Sequence, residues 1–300
     1  MLSILIPIYN YDVVLLIKKL QQQITSINSN IEIICCDDCS SDKTIKNKNA
    51  FFLQSHQITL INNKENIGRT RSRQLLANKA NYEWILFLDS DVLPATNNFL
   101  LDYVNLLNPR TDCIYGGICY QKKRPEVKQL LRWRFGNERE DIQLSKRNTS
   151  PYKSIASGNL LIKKNLFLSI NKNLSNNWYG YDNFFSSQLK EIGSTIIHIN
   201  NKVFHLGLED NATFLRKKEL AANTIYQLYL NNHFSNKHDN GLLNAFLKLN
   251  KYRLTSLYCF FYKYSKKFLK KNLTGNNPNL FFLDLYRLGY FCSLSSSKNA

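Results

Sequence analysis

Four short, mainly apolar runs with three stretches of helical character between them occupy the first ninety residues, and this alternation restricts the fold more than any other feature. Ser3 to Ile8, Ile31 to Cys36, Ile58 to Ile61 and Trp84 to Leu88 read as strands. Between them, residues 13, 16, 17, 20, 24 and 27 are apolar at helical intervals. A second helix is predicted from near Lys43, with Asp42 placed to cap it, and a third over Arg69 to Lys79. Unbroken apolar runs such as Trp84 to Leu88 suit strands buried on both faces, as in a parallel sheet covered by helices. The predicted class is therefore α/β, a doubly wound, mainly parallel sheet.

Parallel strands bring their carboxyl ends to one rim, and in open α/β sheets ligands bind in the crevice beyond that rim. The spacing places four groups there: Pro7 and Tyr9, Asp37 and Asp38, Asn66 and Gly68, and Asp89-Ser90-Asp91. Taken alone, Asp89-Ser90-Asp91 also fits a solvated strand-end turn. No Gly-x-Gly-x-x-Gly follows the first strand and no Gly-Lys-Ser/Thr loop occurs, which removes most support for dinucleotide and P-loop sites.

Further on, a helix is expected over Asn98 to Leu107 and a strand over Cys113 to Tyr120, interrupted at Gly116-Gly117. Lys122 to Ser150 is polar and basic, with an amphipathic piece at Val127 to Phe135, and reads as a long excursion from the sheet, a candidate mobile lid. Gly158-Asn159 opens another strand, Asn165 to Asn171 and Phe184 to Ile192 are helical, and strands are expected over Ser194 to Ile199 and Val203 to His205.

The formal charge is +18, and it is unevenly spread. Residues 1 to 100 carry 10 Lys and Arg against 9 acids, and residues 201 to 300 carry 15 against 5. The basic end predicts a polyanionic partner, either an anionic membrane face or nucleic acid. From about Asn211 lysines interleave with aromatics, as in Phe260 to Phe268, a composition compatible with lying on an anionic membrane or with a packed helix bearing a solvated basic face. Seven cysteines without regular spacing predict free thiols, and Cys36-x-x-Cys39 lacks the second pair that a zinc site would need. The N-terminus has no basic region before its apolar run, so no signal peptide is expected, and no apolar stretch is long enough to span a membrane.

Ile6-Pro7-Ile8-Tyr9-Asn10, Asp37 to Thr44, Asn66-Ile67-Gly68 with Arg71 and Arg73, Asp89-Ser90-Asp91, Gly158-Asn159 and Gly180-Tyr181-Asp182 occur in an order and at intervals that together resemble an inverting family 2 glycosyltransferase of GT-A fold. The resemblance covers residues 2 to about 207 and implies a GT-A domain divided into a nucleotide-sugar half, 1 to 93, and an acceptor half, 94 to 207. Residues 208 to 300 would be a basic, aromatic-rich helical extension. It implies a nucleotide-sugar donor, most often a UDP-sugar, bound by Pro7, Tyr9, Asp37, Asp38, Asn66, Gly68, Arg73, Asp89 and Ser90. Asp91 would hold Mn²⁺ or Mg²⁺, with His205 as second ligand and His198 as its competitor. Carboxylates accept the N–H and hydroxyl donors of a nucleoside, and a carboxylate and a diphosphate can share a hard cation.

Arg69 and Arg73 lie one helical turn apart and would support the diphosphate, although a solvated face is the plainer expectation. Asp182 takes the place of the family's catalytic base, with Tyr181 where a glutamate usually stands. Gly158, Asn159, Trp178 and Tyr181 fall on the acceptor side, a saccharide or glycolipid. The implied setting is bacterial surface polysaccharide or glycolipid assembly, in the cytoplasm at the inner membrane face. A sugar-nucleotide nucleotidyltransferase would want a glycine-rich loop after the first strand. A nucleic-acid-binding protein would not place an acidic rim where phosphates must approach.

Overall fold

The predicted alternation is present in the computed structural model, which describes residues 1–153, 155–171, 179–234 and 238–296. Strands β1 (Leu2–Ile8), β2 (Ile31–Asp37), β3 (Thr59–Asn62) and β4 (Trp84–Leu88) alternate with helices α1 (Val14–Ile24), α2 (Lys43–Ser55) and α3 (Arg69–Lys79). Asp42 caps α2, its carboxylate accepting from the Ile45 amide at 3.0 Å. Next come β5 (Val92–Pro94), α4 (Phe99–Val104), β6 (Cys113–Tyr115) and β7 (Ile118–Cys119), followed by α5 (Leu130–Phe135) and α6 (Leu144–Thr149). The middle of the chain closes with β8 (Asn159–Lys163), α7 (Lys164–Asn171), α8 (Asp182–Ile192), β9 (Ile196–His198) and β10 (Val203–His205).

The large sheet runs β3-β2-β1-β4-β8-β6-β9. Strands β3, β2, β1 and β4 are mutually parallel, and β8 alone is antiparallel to its neighbours β4 and β6. Leu2, Ile4, Leu5 and Ile6 of β1 and Ile85 to Leu88 of β4 are fully buried, as strands covered on both faces must be. Register levels the rim: Ile8 faces Asp37, and Asp37 faces Asn62. A second sheet, β5-β10-β7, pairs His205 with Val92 one residue beyond Asp91.

The chain divides into two compact units, one of residues 1–119, 142–177 and 192–207, the other of 120–141, 178–191 and 208–300. The first holds both sheets. The second contains α9 (Asn211–Leu230), α10 (Gly241–Lys251), α11 (Thr255–Leu273) and α12 (Leu280–Ser296). Its core joins Leu131 of α5, Phe214 and Leu215 of α9, and Tyr262 and Leu269 of α11 to Leu283 and Tyr286 of α12.

Within the excursion over Lys122 to Ser150 the chain is helical over Val127–Gln129, α5, Gly136–Glu140 and α6. Leu130 and Leu131 are buried, and the guanidinium of Arg132 donates to Glu140 at 2.9 Å and to the Tyr120 hydroxyl at 2.6 Å. Its basic residues include internal hydrogen-bond donors, a use that charge composition alone does not reveal. All seven cysteines are free, and five of them are buried.

Candidate active site

The loops beyond β1, β2 and β3 are tied together by side chains from the predicted rim. After β1, Asn10 donates from its backbone to the Ser40 hydroxyl at 2.9 Å, and its side-chain carbonyl accepts from the Asp42 amide at 3.0 Å. The Asp38 carboxylate accepts from the Asn63 side chain at 2.8 Å and from the Ile67 and Gly68 amides at 2.9 and 2.8 Å. It thereby clamps the loop that leads into α3. Asp37 accepts from the Ser40 amide at 2.8 Å and lies 3.7 Å from the Lys46 ammonium. Both carboxylates, expected to receive a nucleoside, are buried and already serve as internal acceptors. Tyr9 and Asn66 are exposed beside them.

At the end of β4 the chain turns at Ser90, and the two acids take different partners. Asp89 turns inward and is held by the guanidiniums of Arg69 and Arg73. Burial alone would raise the Asp89 carboxyl, but the charges of Arg69 and Arg73 prevail and keep it well below the usual carboxylate range. The expected solvated face holds for Arg69, 47% exposed, and is corrected for Arg73, only 6% exposed, whose charge sits inside because a buried carboxylate receives it. The Asp89 amide reaches the Gly158 carbonyl at 3.3 Å, which joins the start of β8 to this corner.

Asp91 faces the other way, toward His205, with carboxylate oxygen and Nε2 3.4 Å apart. Two contacts fix Asp91: its carbonyl accepts from the Leu206 amide at 2.8 Å, and Gly207 presses against its side chain. A Cβ on Gly207 would lie 2.2 Å from the carboxylate oxygen, so a larger residue there must displace the Asp91 side chain. Asp91 also acts on the β1 loop: burial first, then this carboxylate's charge, raise the Tyr11 phenol above its ordinary value. Among the described residues no group of three or more His, Cys, Asp or Glu side chains converges as a metal site. The Asp91–His205 pair nevertheless has the donor chemistry of a borderline-hard divalent cation, a carboxylate oxygen beside an imidazole nitrogen. His198 is placed elsewhere. Its Nε2 lies 2.7 Å from the Pro151 carbonyl, and burial, more than the nearby Arg147, lowers its pKa.

Behind this corner lies a polar hub that the sequence does not disclose. Asn159, expected on the acceptor side, is completely buried and donates to the Gly117 and Asn201 carbonyls at 2.8 and 2.9 Å while accepting from the Tyr103 hydroxyl at 2.7 Å. Both amide hydrogens are used, which removes Asn159 from direct acceptor contact. Arg147, 1% exposed, donates to the Tyr115 carbonyl at 3.1 Å and the Ile199 carbonyl at 2.9 Å. Together they add side-chain donors to buried loop carbonyls, of which Gly117 and Tyr115 also accept from the Val203 and Ile199 amides.

In the second unit, Asp182 is the first residue of α8 and is half-buried. Negative charge is favourable in the first turn of a helix. The turn before it needs Gly180: φ is 83°, and a Cβ there would come within 2.8 Å of the Ala221 side chain. Tyr181 packs inward against Phe184 at 5.1 Å, and burial raises its phenol, so it presents no open ring face for a sugar. Trp178 lies outside the described residues.

This sheet order, with one antiparallel strand beside the carboxylate corner, is that of the GT-A fold. A mannosyltransferase from Pyrobaculum calidifontis, solved with GDP-Man and Mn²⁺, superposes with a TM-score of 0.58 at 13% identity, over 98% of this chain and 87% of that one. Glucosyl-3-phosphoglycerate synthase from Mycobacterium tuberculosis, solved with Mn²⁺, UDP and phosphoglyceric acid, superposes at 0.51 and 14% identity, over 76% and 78%. The model of the Glycosyl transferase family 2 family matches residues 3–167, more than half of the chain, and the chain belongs to that family. An uncharacterized glycosyltransferase of Haemophilus influenzae is 34% identical over 119 residues, 38% of each chain, so the match spans less than two fifths of that relative's length.

Proposed function

We propose that this chain transfers one sugar from a nucleotide diphosphate sugar, with a UDP-sugar the first candidate, to an acceptor hydroxyl with inversion at the anomeric carbon. The observation that carries the reading is the paired presentation of Asp91 and His205 at the rim where the loops after β1, β2 and β3 are tied together. Family membership and solved relatives holding GDP-Man or UDP with Mn²⁺ support the same donor class.

In this reading Asp38 shapes the donor pocket by clamping the Ile67-Gly68 amides, leaving Tyr9 and Asn66 to meet the nucleotide. Asp89 stays ionised between Arg69 and Arg73 and orients the turn at Ser90. Asp91 and His205 would hold a divalent cation, which when bound would offset the charge that builds on the leaving diphosphate. Asp182 takes the proton of the acceptor hydroxyl as its oxygen bonds to the anomeric carbon and the bond to the diphosphate breaks. A carbohydrate or glycolipid acceptor of a bacterial surface polymer is the proposed setting.

Thermal-shift measurements with UDP- and GDP-sugars, with and without Mn²⁺, test the donor half. A ligand bound only to the folded state raises its melting temperature. Stabilisation that requires the metal and disappears in Asp91→Ala is expected, and no response to any nucleotide sugar overturns the reading. Asp182→Asn should lower transfer about 10²- to 10⁴-fold while nucleotide binding persists; unchanged turnover removes Asp182 from the role.

A further inference from the structure

Helix α11 has a core face and, opposite it, a face that is neither polar nor covered. Tyr262, Leu269 and Leu273 belong to the second unit's core. About half a turn away stand Leu257, Phe260, Phe261, Tyr264 and Phe268, 51 to 71% exposed. Phe282 continues the stripe onto α12, its ring 5.6 Å from Phe268 and 6.4 Å from the exposed Phe281. Single exposed apolar residues are ordinary, but a continuous aromatic stripe marks an interaction surface.

The charge around the stripe identifies the partner. Lys263, Lys267, Lys270 and Lys271 are exposed along one flank, and α11 contains no acidic residue. After Asp239 the sole acid is Asp284, which already faces Arg139 at 3.0 Å and Arg287 at 3.9 Å. We propose that this face docks the protein on an anionic lipid surface, with α11 parallel to the membrane plane. The rings would enter the boundary between headgroups and acyl chains, and the lysines would reach lipid phosphates on their flexible stems. No helix among the described residues is long and apolar enough to cross a membrane, so α11 lies on the bilayer rather than spanning it.

Two other occupants fit less well. A second copy of the chain would set this lysine flank against like charge. Nucleic acid would satisfy the lysines but leave Leu257 and Phe261 in water, because it has no apolar interior to receive them. The docking proposal is independent of the catalytic reading.

Flotation of the full chain with phosphatidylglycerol–phosphatidylcholine vesicles, against pure phosphatidylcholine vesicles, tests it. Binding to the anionic vesicles alone, weakened by salt, is expected. Phe260→Ser/Tyr264→Ser/Phe268→Ser should abolish flotation, and Lys267→Glu/Lys271→Glu should weaken it by more than about 25-fold, since each lysine near such a surface contributes about fivefold and the reversal adds repulsion. These side chains are exposed, so far-UV circular dichroism and melting temperature should not change. As a measurement free of any loss variant, the fluorescence of Tyr264→Trp should be quenched by brominated lipid. Absence of flotation at low salt, variants that float like the parent, or nucleic-acid binding or self-association through this face without vesicle binding would each overturn the proposal.

Discussion

Replacing Arg73 with methionine tests how the carboxylate corner is held. The substitution keeps most of the apolar stem and deletes the charge from a side chain only 6% exposed. Asp89, itself 12% exposed in its side chain, would keep a single partner, Arg69, which is 47% exposed and screened by solvent. Leaving a buried charge unpaired costs about 3–5 kcal/mol. Because Arg69 still supplies part of the compensation, Arg73→Met should cost about 2 kcal/mol. Asp89→Asn alone should also destabilise, since it leaves two guanidiniums facing a neutral amide. The double variant should recover part of the loss, giving a coupling energy of about 1–3 kcal/mol, as expected for residues sharing one network. Urea denaturation of the four proteins at pH 7, followed by far-UV circular dichroism, measures it. A cost below about 0.5 kcal/mol for Arg73→Met, a surface-like value, together with additive single effects, would refute the buried-clamp argument.

Other consequences follow from equally local geometry. Gly207→Ala would drive a methyl to 2.2 Å from the Asp91 carboxylate, so metal-dependent stabilisation by a nucleotide sugar should be lost while the melting temperature without ligand falls little. Gly289→Ala would place its methyl 2.2 Å from the Tyr262 ring where α11 and α12 meet, and overpacking of this kind should cost about 1–3 kcal/mol in thermal or chemical unfolding. Burial tends to raise the Glu140 carboxyl, but the charges of Arg132 and Lys218, with hydrogen bonds from Tyr120 and Arg132, together outweigh it and hold the group at about 2, against 4.5 in the unfolded chain. A folded-state pKa below the unfolded one stabilises the fold fully above the unfolded value and loses that contribution as pH falls through the folded value. Acid titration of stability should therefore steepen between about pH 5 and pH 2, and Glu140→Gln should flatten that limb; an unchanged slope would exclude the pair as its source.

The alternation of apolar runs with helical spacings was sufficient to predict the parallel half of the sheet, because burial on both faces of a strand imposes a continuous apolar pattern on neighbouring residues. Asp42 as a helix cap and the rim position of Asp38 and Asp89 were legible for the same reason: each depends on residues a few positions away or on the end of a strand. The partners of those acids were not. Asp38 spends its oxygens on Asn63, Ile67 and Gly68, and Asp89 on Arg69 and Arg73, pairings made across loops that no local pattern records.

Composition misled where charge went inside. Arg132 and Arg147 belong to a stretch that reads as a polar, basic excursion from the sheet, yet both donate to buried acceptors. Asn159 was expected on the acceptor side because Gly158-Asn159 stands where the family's acceptor-side motif stands, and tertiary packing made it a hub for backbone carbonyls. By itself, the sequence determined the α/β class, the rim and the acidic corner at the end of Trp84 to Leu88, since these arise from periodicity and chain direction. Only the tertiary structure decided that Asp89 turns to arginines while Asp91 turns to His205, because a side chain's partner depends on which distant segments register and packing bring beside it.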